Sequence, residues 1–335
     1  MLIARLIRQL ASPCADQREL SEAQSYELFS ALLDHGVAEL ETGAILAALG
    51  MRPLAAAELA GLRRAAQDRL NRLHALADPA PGATRPVVIP SYAGALHQPN
   101  LMPLVALLLA KLGLAVLVHG TLDGQGRVAS ATVFRELGVL PCVALSEAQE
   151  ALAERRVAFV PTALLAPGLM QLLSLRGRLG VPNCAQLIAP LLDPFGGAAL
   201  KLVPASDAAQ RDAFAAVLAA QGEHALLFIG AEGEAYPDPW QRPAMEHVGE
   251  RGRELLFDAD PTPILARGTH APGLPESADA KPTARWIGLA LAGQLAVPQP
   301  ILNLLACCLY AAGYTDDFSQ AKAIVAVRAH PRAVA

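Results

Sequence analysis

The chain has no excess of positive charge. Its 27 lysines and arginines stand against 31 aspartates and glutamates, a net charge of −4 with histidine neutral. That balance excludes a general affinity for polyanions, so any nucleic-acid contact must come from a local basic patch on an acidic body. A disulfide framework is missing as well. Cys14, Cys142, Cys184, Cys307 and Cys308 are an odd, scattered set. The Cys307–Cys308 pair sits in an apolar run without zinc-ligand spacing, so reduced core thiols in a cytosolic protein are expected. No apolar run reaches the roughly 18 residues of a membrane helix without Gly, Pro or charge intervening. Segment 1–10 is too short and too basic for a secretory signal. These absences predict a cytoplasmic protein with no membrane partner. A Ser/His/Asp triad context and a P-loop are also missing.

What the chain does have is apolar mass. Of its 335 residues 53% are hydrophobic, enough for a large buried core in one large domain or two. Residues 1–76 read as helices. After Ser21 and Glu22, the residues Tyr26, Phe29, Leu32 and Leu33 fall at three- and four-residue steps, and Gly36 stops the stretch. Residues 39–49 repeat the pattern with Leu40, Ala44, Ile45 and Ala48, and 55–76 read as a third long helix. Apolar faces on several sides of these hairpins predict packing against a neighbouring domain and against a second subunit.

Residues 77–85 (ADPAPGATR) form a Pro/Gly break and a candidate hinge. Beyond it, short apolar strands at 87–89, 115–118, 141–144, 157–160, 200–203 and 225–229 alternate with helices at 101–112, 129–137, 146–153 and 207–220. Such alternation predicts a parallel sheet. Residues 164–192 return to helix, and 231–284 are rich in Pro, Gly and Asp with little periodicity. Helices at 283–293, 298–312 and 316–328 close the chain. The expected fold is α/β. A small all-helical domain, 1–76 with 163–192, carries dimerisation, and a larger α/β domain, 77–162 with 193–335, holds a mainly parallel central sheet.

The turn after the first strand is the most informative segment. Val87-Val88-Ile89 breaks at Pro90 into Ser91-Tyr92-Ala93-Gly94, and a helical run follows Asn100. A loop between a strand and a helix N-terminus gathers orphan N–H groups and the helix dipole, a ready anion site. This one has a single glycine where a phosphate cradle usually has several, and it carries Tyr92, His97, Gln98 and Asn100.

Leu20 to Met51 resembles the N-terminal helical domain of anthranilate phosphoribosyltransferase and its pyrimidine nucleoside phosphorylase relatives, notably at Glu41-Thr42-Gly43-Ala44-Ile45-Leu46-Ala47-Ala48-Leu49. The resemblance continues from Val118 to Gly138 and from Arg176 to Pro194, and it implies that family's fold. It fails where the chemistry of those enzymes sits. Their Gly-Thr-Gly-Gly-Asp-Gly diphosphate loop falls on Ile89 to Gly94, and only the last glycine survives. Proline cannot donate a backbone N–H, and tyrosine crowds a phosphate that needs close backbone approach. The lysine of the Lys-His-Gly-Asn loop is Val118 and its asparagine is Thr121, while His119 and Gly120 remain. The paired serines fall on Gln125-Gly126, and the magnesium-holding Asp-Glu pair falls on Ala235-Tyr236. A magnesium-bound diphosphate needs carboxylates and cationic clamps, so their joint loss argues against the activity, and no cofactor is expected.

Ile-Pro-Ser-Tyr-x-Gly-Ala, the Val-His-Gly that follows, and Gly-x-Glu-Gly-Glu-x-Tyr at 230–236 resemble the YbiB branch of the family. Glu22, Glu41 and the Cys307–Cys308 pair fit it too. This resemblance implies a homodimer that binds DNA or RNA with little sequence preference and has no known phosphoribosyltransferase activity. The alternative is an anthranilate-type phosphoribosyltransferase or nucleoside phosphorylase with an altered substrate.

Candidate nucleic-acid-binding residues are Arg176, Arg178, Tyr92, His97, Asn100, Lys111, His119 and Arg127. Arg176 and Arg178 either grip phosphate oxygens or offset a helix dipole. Tyr92, His97 and Asn100 either stack on a base and hold phosphate or pack a rigid loop. His119 is either a survivor of a catalytic loop or a satisfied structural histidine. Lys111 and Arg127 either extend a basic rim or are solvated charges. Arg63, Arg64, Arg69 and Arg72 form a positive run on the third helix, read as a nucleic-acid track or as a solvated face.

Overall fold

The structure, a computed structural model, describes residues 3–12, 14, 18–74, 84–181, 183–262, 264, 273–275 and 277–329. The expected hinge at 77–85 lies outside the described residues except for Thr84 and Arg85. Two compact units divide the chain: Met1–Arg72 with Thr162–Pro194, and Leu73–Pro161 with Phe195–Ala335. The cuts at 72, 161 and 194 stand against the expected 76, 162 and 192.

The first unit is helical: α1 (Ile3–Leu10), α2 (Glu22–Leu33), α3 (Glu39–Gly50), α4 (Ala56–Gln67) and, from the second segment, α8 (Thr162–Leu165), α9 (Pro167–Ser174), α10 (Arg176–Leu179) and α11 (Cys184–Ile188). Ser21 starts α2 with a capping box, its side chain accepting from the Gln24 N–H while Gln24 reaches back to Ser21 N–H. That arrangement satisfies two orphan donors at once. Leu28, Phe29, Ile45, Leu46 and Leu49 are fully buried between the helices. Gly61 lets α2 and α4 meet backbone to backbone, because a Cβ there would come within 2.2 Å of Glu22 O.

The third long helix is shorter than the periodicity predicts. It ends at Gln67, with Asp68 as C-cap, and the following chain turns to donate Asn71 N–H to Leu165 O. The positive run is therefore not one uniform face: Arg64 and Arg72 are exposed, Arg69 is half-buried and Arg63 is buried. Arg63 is 1% exposed, and its Nε donates to Leu191 O. Arg64 pairs with Glu22 and lies over the Tyr26 ring, and Arg69 forks onto both oxygens of Asp34.

The second unit is a seven-stranded sheet ordered β3-β2-β1-β4-β5-β6-β7. Its strands are β1 (Val87–Ser91), β2 (Val116–Gly120), β3 (Val157–Pro161), β4 (Leu200–Ala205), β5 (His224–Ile229), β6 (Met245–Gly249) and β7 (Gly252–Phe257). Five are parallel, and β6 and β7 are antiparallel additions. Covering helices are α5 (Met102–Lys111), α6 (Ser130–Glu136), α7 (Leu145–Arg155), α12 (Ala208–Ala220), α13 (Ala280–Leu291), α14 (Gln299–Ala311) and α15 (Phe318–Ala329). The parallel strands are buried along nearly their whole length, so they read as largely apolar runs, with buried Lys201 of β4 the one Lys, Arg, Asp or Glu among them.

Two sequence expectations fail here. Residues 141–144 form no strand, only one isolated bridge from Pro141 to Phe159. Segment 231–284 contains the hairpin β6–β7, joined by Glu250 and Arg251. Its Glu, His and Arg interrupt the apolar period that would mark a strand.

Strand order reverses between β1 and β4. They pair only at Val87–Leu200 and Val88–Lys201 and part before Pro90, so the missing N–H of that proline removes no ladder bond to β4. A crevice at the carboxyl ends of strands where their order reverses is where open α/β sheets bind ligands.

Candidate functional site

The loop leaving β1 at this switch point is already filled. The turn after β5, Gly230 to Glu234, folds back over it through a single 3-10 turn at Ala231–Gly233. Glu232 has φ 51° and Gly233 φ 85°, and a Cβ on Gly230 would meet Glu234 O at 2.3 Å. This tight turn aims two carboxylates at one loop.

Glu234 is fully buried. It accepts the N–H groups of Ala93 at 3.0 Å and Gly94 at 2.6 Å, and the hydroxyls of Ser91 and Ser130, each at 3.2 Å. Burial raises its carboxyl above the usual range, and the four donors oppose that rise only in part. Glu232 accepts the N–H groups of Leu96, His97 and Gln98 at 2.7, 2.9 and 3.0 Å and pairs with Arg127 Nη2 at 2.8 Å. Burial works against its charge, but the backbone donors and Arg127 prevail and hold it below the usual range. Together the two side chains take five N–H donors from one loop, the groups an external oxyanion would need.

The structure distributes the sequence-predicted residues unequally. Tyr92 Oη and His119 Nδ1 share a hydrogen bond of 2.7 Å, with the rings edge to face. His119 is 0% exposed, and burial pushes it down to about 3, so it is a neutral internal imidazole. Asn100 is equally buried. It donates to Val128 O and Ser130 Oγ and accepts Met102 N–H, which fixes the entry to α5. Arg127 is held by Gly94 O and Glu232. Asn100 and His119 are thus internal scaffolding rather than surface contacts. His97 is exposed.

Lys111 closes α5 at the end away from the loop, donating to Leu291 O, so it does not rim the cradle. Arg176 and Arg178 belong to the helical unit. Arg178 is 71% exposed and pairs with Glu39, whereas Arg176 is half-buried on the short helix α10. Glu232 and Glu234 fill the loop, and sequence reading placed them in a motif without giving them that role. Their only local signal is a Glu-Gly-Glu step directly after a buried strand.

The residues present do not fit a metal-bound diphosphate. Ala235 and Tyr236 are both 0% exposed, and the Tyr236 hydroxyl donates to Pro99 O. Among the described residues no group of three or more His, Cys, Asp or Glu side chains is arranged to hold a metal, and the loop donors face the chain's own carboxylates.

Comparison with known proteins agrees with this geometry. Residues 3–70 match the glycosyl transferase family, helical bundle domain. The chain is 34% identical to the uncharacterized protein YbiB of Escherichia coli over 96% of its own length and 98% of that protein. It is 26% identical to an anthranilate phosphoribosyltransferase of Anaeromyxobacter sp. over 94% of this chain and 91% of that one. Among solved structures, the anthranilate phosphoribosyltransferase of Thermus thermophilus superposes with a TM-score of 0.74 at 22% identity, covering 98% of this chain and 94% of that one. The Saccharomyces cerevisiae enzyme in complex with PRPP and Mg gives 0.72 at 15% identity, covering 98% and 93%. Fold and site define an anthranilate phosphoribosyltransferase-like protein whose phosphate loop is closed by its own glutamates. Within that class, the chain belongs to the YbiB family. Among the described residues no helix is long and apolar enough to cross a membrane.

Proposed function

We propose that the protein is a non-catalytic, cytoplasmic homodimer that binds nucleic acid with little sequence preference on a phosphoribosyltransferase scaffold. The carrying observation is the occupation of the loop donors by Glu232 and Glu234. A diphosphate would have to displace both carboxylates, one of them wholly buried, and would find no paired acid for its metal. Phosphate contact then falls to side chains that reach the surface. Arg176 and Arg178 sit two residues apart on α10, and His97 stands exposed on the loop. Buried Asn100 and His119, with Tyr92 and Arg127, hold that loop rigid. Dimerisation is supported by the helical unit, where Leu40 is 83% and Met51 69% exposed, apolar surface that a partner would cover.

Fluorescence anisotropy with unrelated single- and double-stranded oligonucleotides tests the reading. Comparable affinities that fall linearly with the logarithm of salt are expected, since each phosphate contact releases counterions. Arg176→Glu with Arg178→Glu should weaken every oligonucleotide alike and flatten the slope by about two. No binding at micromolar protein and low salt refutes it. Calorimetry with phosphoribosyl diphosphate and Mg²⁺ should show no binding, and a tight metal-dependent heat would establish the enzyme instead.

A further inference from the structure

The other end of the same strands holds a separate cavity of about 250 Å³. It lies between the β6–β7 turn, the start of β5, Arg85 ahead of β1 and the end of α14. His224 and His247 form its inner wall, their rings stacked at 5.9 Å and their side chains 10% and 15% exposed. Each turns one nitrogen toward a carboxylate: His224 Nε2 lies 3.7 Å from Glu250, and His247 Nδ1 lies 4.0 Å from Glu254. Their other nitrogens, His224 Nδ1 and His247 Nε2, are buried without a hydrogen-bond partner. Both close on Gly249, where a Cβ would come within 2.9 Å of each, so only glycine fits between the rings.

We propose that this cavity binds a small oxyanion, a phosphate or carboxylate group, held by Arg85 and the His224–His247 pair in place of Glu250. Charge is layered in the required sense. Arg85 is 32% exposed and the imidazoles are nearly enclosed, whereas Glu250 is 79% and Glu254 43% exposed. Glu250 is the resident counter-charge, 3.4 Å from Arg85 Nη2, and an exposed surface carboxylate is readily displaced.

Burial first, then Arg85, holds the His224 ring below its usual value, with buried Lys201 adding to the effect and Glu250 opposing it. Burial, then His224, pushes His247 down to about 4, with Arg251 and Arg85 adding and Glu254 opposing. Tyr310 meets the His247 ring edge-on and donates to Glu254. Arg85 is therefore the standing positive charge beside two mainly neutral, buried imidazoles, and an anion there favours their imidazolium form. Two imidazoles without a third ligand do not make a metal centre.

The test titrates the full chain with inorganic phosphate and, separately, with succinate, following heat and the imidazole resonances. Saturable binding of at least one anion is expected, and which one binds identifies the source of the oxyanion. Affinity should rise as pH falls from about 6.5 to 4.5, where imidazoles depressed from their ordinary 6.5 take up protons, by up to about tenfold per unit for each proton taken up. Glu250→Gln, a change at an exposed side chain, should tighten binding. Arg85→Ala should abolish it, and Arg176→Glu with Arg178→Glu should leave it unchanged, which separates this site from the oligonucleotide surface. Absence of saturable binding by both anions at the lower pH overturns the proposal, as does Arg85→Ala binding like the parent.

Discussion

At the scale of single residues, the two glutamates of the turn after β5 take up the donors of the β1 loop. Glu234→Ala would leave two backbone N–H groups and two hydroxyls buried without an acceptor, at about 3 kcal/mol or more. Glu234→Gln keeps an acceptor oxygen and should cost less, as urea denaturation would show. The raised Glu234 carboxyl adds a pH dependence of definite sign. Its folded value lies above the unfolded one, so its contribution is fully present below the ordinary carboxylate range and is lost as pH rises through the folded value. Glu234→Gln should remove that loss.

His119 acts in the opposite pH direction. It is held at about 3 against an ordinary 6.5, so the unfolded chain takes the proton first and stability falls as pH drops from 6.5 toward 3. His119→Gln should flatten that acid limb, measured as the urea midpoint against pH.

At the scale of elements, the close crossing of α2 and α4 rests on one missing methyl. Gly61→Ala would press a Cβ against Glu22 O, Ser25 Cβ and Tyr26 N, at 2.2, 2.8 and 2.9 Å. Two of these are backbone atoms that cannot swing aside, so a loss of about 3 kcal/mol or more is expected, read as a lowered thermal midpoint. Elements also show what a sequence can and cannot reveal. The five parallel strands are legible because burial on both faces makes each a largely apolar run, interrupted by a Lys, Arg, Asp or Glu only at Lys201. In β6 and β7, Glu246, His247, Arg253 and Glu254 break that run, because one side of the hairpin meets solvent and charge. The end of α4 is illegible for another reason. Ala and Leu continue past Gln67, and only a tertiary bond from Asn71 to Leu165 turns the chain. Within the candidate site, the vacated motif is visible residue by residue. Its replacement is not, because Ala93 and Glu234 are 141 positions apart and nothing local announces that they touch.

At the scale of the whole molecule, association is the property to measure. Leu40→Glu with Met51→Glu, both on exposed side chains of the helical unit, should shift sedimentation from the proposed dimer to monomer without altering the circular dichroism spectrum. If the dimer supplies avidity, the same pair should weaken oligonucleotide binding by about tenfold to a hundredfold. Monomeric variants with undiminished affinity would separate the two properties. The four buried thiols, Cys142, Cys184, Cys307 and Cys308, are all free, and burial is the leading cause raising each above its ordinary value. They should resist alkylation until the chain unfolds.

The filled loop also resists change one segment at a time. Placing glycines at 89, 91 and 92 alone would give the turn of the enzymes it resembles beneath two carboxylates that still occupy it, so no benefit would follow the first step. Removing Glu234 alone would strand four donors in the interior before any sugar-phosphate could reach them. A chain built this way could open the loop to a sugar-phosphate only by altering both segments together, so single substitutions leave those donors committed to Glu232 and Glu234.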